Sequence, residues 1–135
     1  MENKSEQGHS VNNDKIAPYK NYAPMVLRYG LSIVFLWFGI SQLVNPNNFV
    51  GYLPDFLFSS GYANLFVFAN GVFEILAAGL LIANKFTSII SALLALHLIG
   101  IMVDLGYGET LVRDFGIFVG TTALFLYSYG KKNKN

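Results

Sequence analysis

Glu74 and His97 have the most chemistry to offer in this chain, because each stands inside an apolar run long enough to cross a bilayer. A carboxyl group and an imidazole can both be tuned to exchange protons near neutral pH. A charged side chain at the centre of a spanning helix costs roughly 2.5–3.5 kcal/mol, so such a residue faces a protein interior, a partner or a water-filled cavity. Arg28 and Asn70 can join these two as a polar core, and Gln42, Asp104, Arg113 and Asp114 form a second polar group toward the other end of the same segments.

The elements that position them follow from composition. Of 135 residues, 53% are hydrophobic and only 13% charged, against roughly 25% charged in ordinary soluble domains. The apolar residues concentrate in residues 24–44, 62–83, 86–105 and 115–129. About 20 apolar residues cross the hydrocarbon core and about 17 are the minimum, so the last window qualifies if Asp114 lies at the water boundary. No window has the broad charged face of a soluble bundle helix. The expectation is an all-α membrane protein, a four-transmembrane-helix bundle over residues 23–130. A disordered polar tail (1–22) would precede it and a basic tail (131–135) follow it. The first run is not a signal peptide: it starts late, is long, and is followed by Asn45-Pro46-Asn47-Asn48.

Lys and Arg set the orientation. Lys4, Lys15, Lys20 and Arg28 flank the start of the first span, Lys85 lies between the second and third, and Lys131, Lys132 and Lys134 follow the fourth. The connections over residues 45–61 and 106–112 contain no Lys or Arg. The positive-inside rule then puts both termini in the cytoplasm of a prokaryotic cell, with the protein multi-pass in its plasma membrane. The 45–61 connection, with Pro46, Phe49, Tyr52, Pro54, Phe56 and Phe58, is too apolar for a solvated loop and too proline-rich for a fifth span. It reads as a short interfacial segment, more readily an anchor than a substrate gate.

Helical periodicity sorts the polar residues onto narrow stripes. Arg28, Ser32, Phe35, Gly39 and Gln42 return to nearly one angle, Asn70 and Glu74 are four apart, and His97 and Asp104 are seven apart. At 1.5 Å per residue Glu74 lies ~12 Å and His97 ~16 Å from the cytoplasmic boundary, and Arg28 ~5 Å in with a long side chain. An ion pair between Arg28 and Glu74, with His97 near, is the expected core. Gly116 and Gly120 have the GxxxG spacing of close helix contacts.

Residue content removes several chemistries. Without cysteine the chain has no thiol exchange, iron–sulfur ligation or cysteine nucleophile. His97 has no membrane-embedded histidine partner for a bis-histidine haem, and Glu74, His97 and Asp104 lack a metal-ligand spacing. A net charge of +1 gives no footprint for nucleic acid.

The run Phe35-Leu36-Trp37-Phe38-Gly39-Ile40-Ser41-Gln42-Leu43 with Pro46 and Phe49, then Asn70-Gly71-Val72-Phe73-Glu74-Ile75, resembles the DoxX family of small four-helix membrane proteins. Arg28 with Gly30, Gly79-Leu80-Leu81, Ala95-Leu96-His97-Leu98 and Arg113-Asp114-Phe115-Gly116 extend the likeness over roughly residues 25–130. The resemblance implies a link to redox or oxidative-stress complexes, since that family is named for a subunit of a membrane thiosulfate:quinone oxidoreductase. Arg28, Glu74, Arg113 and Asp114 match its motif positions, whereas many members carry a basic residue where this chain has Gln42.

Two functions are therefore open. In one, Glu74 and His97, ringed by Phe66, Phe73 and Leu94, protonate or orient a quinone in a subunit of a membrane oxidoreductase. In the other, the polar core is structural and the protein is a non-catalytic scaffold or assembly factor. Quinone is the one cofactor candidate; the candidate partners are the bilayer, a membrane or membrane-associated protein, and further copies of the chain.

Overall fold

The computed structural model describes residues 17–105 and 108–133. Its elements are α1 (Ala17–Val44), 3-10 turns at Pro46–Asn48 and Val50–Tyr52, a single-turn α2 (Asp55–Phe58), α3 (Ala63–Ile82), α4 (Thr87–Leu105) and α5 (Glu109–Lys132). There is no strand among the described residues. Four helices, α1, α3, α4 and α5, are long and apolar enough to cross a membrane by length and composition, so the all-α four-span expectation holds. Val26, Trp37, Leu76, Leu96, Val103 and Val112 point outward, where a water-facing bundle would carry charge.

The element ends depart from the sequence expectation in two places. Helix α1 begins at Ala17, ahead of its apolar window, with Pro18 in the first turn, where its missing N–H costs nothing. Of the tail expected over 1–22, residues 1–16 lie outside the described residues. Helix α5 begins at Glu109, ahead of its apolar window, so Asp114 sits more than a turn inside it and is buried in the bundle.

Helix α1 packs most extensively on α3, and α4 on α5; smaller α1–α5 and α3–α4 contacts join the two pairs. Leu31 and Phe35 of α1, Ala77, Ala78 and Leu81 of α3, Leu94 and Leu98 of α4 and Leu124 of α5 form the core. Buried Ser32, Ser91 and Thr121 donate to the carbonyls of Arg28, Thr87 and Ile117 at 2.8, 2.6 and 2.7 Å, so their hydroxyls need no partner on another helix.

Helices α1 and α3 approach closely at Gly39 and Gly71. A Cβ on Gly39 would stand 2.7 Å from the Gly71 carbonyl oxygen, and one on Gly71 2.8 Å from that of Gly39. Only hydrogen fits between the two helices at this crossing. Gly116 faces open space and Gly120 makes ordinary contacts with Leu27 and Leu31, so the GxxxG pair of α5 is not the tight junction.

The α3–α4 connection is short. Asn84, at φ 54°, ends α3 with its N–H on the Leu81 carbonyl and that of Lys85 on Leu80, the pairing by which a left-handed residue satisfies the last carbonyls of a helix. By contrast, the α1–α3 connection runs over residues 45–62 and folds back across the end of the bundle.

Candidate functional site

The crossing of α1 and α3 positions the polar side chains. The two helices run antiparallel, so Gln42 stands over Gly71, where an added Cβ would lie 3.0 Å from Gln42 Cβ, and its side chain reaches across the crossing to Glu74. Gln42 Nε2 donates to Glu74 Oε2 at 3.0 Å, and Asn70 Nδ2 donates to Glu74 Oε1 at 3.2 Å and to Gln42 Oε1 at 2.8 Å. From α4, His97 Nε2 lies 3.3 Å from Glu74 Oε1. The carboxylate thus has neighbours from α1, α3 and α4. Two of these bonds, from Gln42 and His97, run between helices, where such bonds average about 0.6 kcal/mol and reach about 1.7, so they offset part of the cost of a charge placed among spanning helices.

His97 and Glu74 share one hydrogen-bond line, which a single proton occupies. With Glu74 ionised, Nε2 carries that proton; with Glu74 protonated, Nε2 can accept it. The side chain of His97 is 21% exposed and that of Glu74 only 4%, so the imidazole meets whatever enters and the carboxylate stands behind it. Phe73 holds the ring edge-on, with centroids 5.4 Å apart.

What can enter is set by a cavity of about 340 Å³ in front of this pair. Gln42, Asn70, Glu74 and His97 line it, with Asp104, Arg113 and Asp114 from α4 and α5. Its apolar wall includes Phe35, Phe38 and Phe66, and the interhelical loop closes it with Phe49, Tyr52, Leu53, Pro54 and Leu57. Arg113 Nε donates to Asp114 Oδ1 at 2.8 Å, and its guanidinium lies 4.7 Å from the centroid of the Phe38 ring. Asp114 is buried and Asp104 exposed.

The two polar groups expected from sequence are therefore one, minus Arg28. Gln42, Asp104, Arg113 and Asp114 share the cavity with Asn70, Glu74 and His97. Arg28 is not in it. It lies fourteen residues, or ~21 Å of helix, before Gln42; its guanidinium is 5.1 Å from the Tyr29 ring, and its Nε is buried without a hydrogen-bond partner. Glu74 takes amide and imidazole donors instead of a guanidinium, so the expected Arg28–Glu74 ion pair is not formed. Phe66 and Phe73 flank the site as expected, but Leu94 belongs to the core. Sequence reasoning missed the loop as a wall, although its aromatic content was the available signal.

Fold and site together define a small four-span helical membrane protein with a polar, ligand-sized cavity at one end of the bundle. The chain belongs to a family described as methylamine utilisation protein MauE, whose model matches residues 20–117, a stretch that contains all the candidate residues named above. The likeness to DoxX proteins holds at the coarser level the two share, a multi-pass membrane protein. No curated protein and no solved structure gives a significant match.

Proposed function

We propose that the protein is a membrane subunit of a redox-associated complex, in which the cavity receives a quinone headgroup and the His97–Glu74 pair holds a proton that reduction takes up. The observation that carries this reading is the hydrogen-bonded imidazole and carboxylate at the inner wall of a cavity that combines polar side chains with an aromatic wall. Converting a quinone to a quinol takes two electrons and two protons. The pair supplies one of these protons and water the other, and the electrons are delivered by the redox partner subunit that this reading requires. The family name adds an association with methylamine utilisation. In the proposed orientation the Lys85 turn and both termini are cytoplasmic and the loop over residues 45–62 is outside. In this cysteine-free chain, a cysteine at Asn47 should be labelled only from outside and one at Lys132 only from within. Labelling of Asn47 from the cytoplasm would overturn the orientation.

A second reading, a non-catalytic scaffold or assembly factor, is favoured by one observation: Glu74 is satisfied by donors on three helices, as a structural tie would be. Titrating the full chain in mild detergent with a tail-less benzoquinone separates the two. Under the redox reading Glu74→Gln and His97→Asn keep thermal stability within about 1 kcal/mol of the parent, while quinone affinity falls about tenfold or more. Stability falling in step with binding, or a parent protein that binds no quinone, would favour the scaffold.

A further inference from the structure

A headgroup in the cavity lies between the helices and the loop, and a molecule that also carries a long apolar tail must lead it out toward the lipid past one of them. A way out lies beside α1. A second, shallower space of about 610 Å³ is bounded by Trp37, Ile40, Ser41 and Val44 of α1 and by Asn45 and Asn48 of the loop. Phe38, Phe49, Tyr52 and Arg113 line both spaces and are the boundary between them. The outer wall consists of side chains that face the lipid, with Trp37 72%, Ile40 53% and Val44 68% exposed.

We propose that this groove is the tail exit of the same site, so that the ligand is a lipid-borne quinone with a single isoprenoid-like chain, entering sideways from the bilayer between α1 and the loop. The inference rests on the quinone reading and adds the ligand's tail and its route. A tail gains little free energy in leaving lipid for an apolar groove, because acyl chains are as apolar as the groove wall. The groove therefore acts as a steric passage, and specificity resides in the headgroup. At this boundary Arg113 spends its Nε on Asp114 and its face on Phe38, and its terminal nitrogens make no hydrogen bond among the described residues. They are placed to donate to an oxygen of a headgroup passing through.

Ser41 is the position at which to close the passage. Its hydroxyl only returns to the Trp37 carbonyl, 2.7 Å away within the same helix, and a larger apolar side chain is compatible with a lipid-facing wall. The full chain and its Ser41→Phe variant, both in detergent, are titrated with two probes that share one benzoquinone headgroup, one tail-less and one with a decyl tail. Both probes should bind the parent; Ser41→Phe should weaken the tailed probe about tenfold or more and leave the tail-less one within about twofold. Equal affinities of the variant and the parent for the tailed probe, or equal losses for both probes, would overturn the tail route while leaving headgroup binding intact. If neither probe binds the parent, the quinone reading fails and the route fails with it. A Ser41→Phe protein of lowered thermal stability is replaced by Ile40→Trp, which narrows the same groove from the next position and is held to the same outcomes.

Discussion

Gly39→Ala should destabilise the protein by about 2–3 kcal/mol, the upper part of the range for an overpacked site, and should disable the cavity as well. The opposing atoms explain the size. The new methyl group would stand 2.7 Å from the Gly71 carbonyl oxygen and 2.7 Å from Ile75 Cγ1. The side chain can turn away, but the carbonyl belongs to α3 and moves only with it. Separating the helices also draws Gln42 from Glu74, breaking a 3.0 Å bond one turn away. Gly71→Ala meets the reciprocal obstacle, the Gly39 carbonyl at 2.8 Å. The double variant should cost clearly less than the two singles combined, since the first methyl group already separates the helices. Gly116→Ala, in open space, should be neutral or stabilising by up to about 1 kcal/mol. Thermal unfolding in detergent measures all four; equal losses at Gly39 and Gly116 would remove the crossing from its place in the fold.

The second large effect is expected at Glu74. Glu74→Ala withdraws the shared acceptor from Gln42, Asn70 and His97; Asn70 keeps its 2.8 Å bond to Gln42 Oε1 and His97 is partly exposed, whereas the buried Gln42 Nε2 is left without a partner at a cost of about 1–3 kcal/mol. Relief of the carboxylate's own burial offsets part of this, so the net loss should be about 2 kcal/mol. The coupling pattern is the sharper test. Glu74→Ala with His97→Ala should fall short of additivity by about 0.5 kcal/mol or more, because both remove one hydrogen bond. Glu74→Ala with Arg28→Gln should be additive within about 0.5 kcal/mol, since the two side chains share no contact. A coupled Arg28 and an uncoupled His97 would reverse the assignment of Glu74's partners.

Much of the architecture was legible in the sequence, and the reasons are local. Span length and apolar windows place four helices because lipid leaves few alternatives to a continuous helix. The stripe of Ser32, Phe35, Gly39 and Gln42 is buried as its spacing implies, with Arg28 half-buried at its far end. Partner choice was not legible to the same degree. Depth along a helix axis brought Arg28 within reach of Glu74, yet the actual partner is Gln42, which the same stripe places at the other end of α1. A depth estimate fixes neither the stagger of two helices nor their tilt. The tight crossing was hidden for a related reason. GxxxG is visible within one segment, whereas Gly39 and Gly71 contribute a single glycine each, and their shared mark is a polar residue one turn later. The aromatic content of the loop suits an interfacial anchor and a substrate gate alike, and it does not say which face of the loop turns toward the cavity.

The division of the helices into two tightly packed pairs has a mechanical consequence. Gln42, Asn70 and Glu74 all belong to the α1–α3 pair, and His97 to α4. Among the described residues, the contact from His97 to Glu74 is the only side-chain hydrogen bond that bridges the two pairs. If one pair rocks against the other, the joint opens at the imidazole and carboxylate first, while each pair keeps its own internal bonds. A molecule lodged at that contact would touch both pairs at once, because His97 and Glu74 both line the cavity.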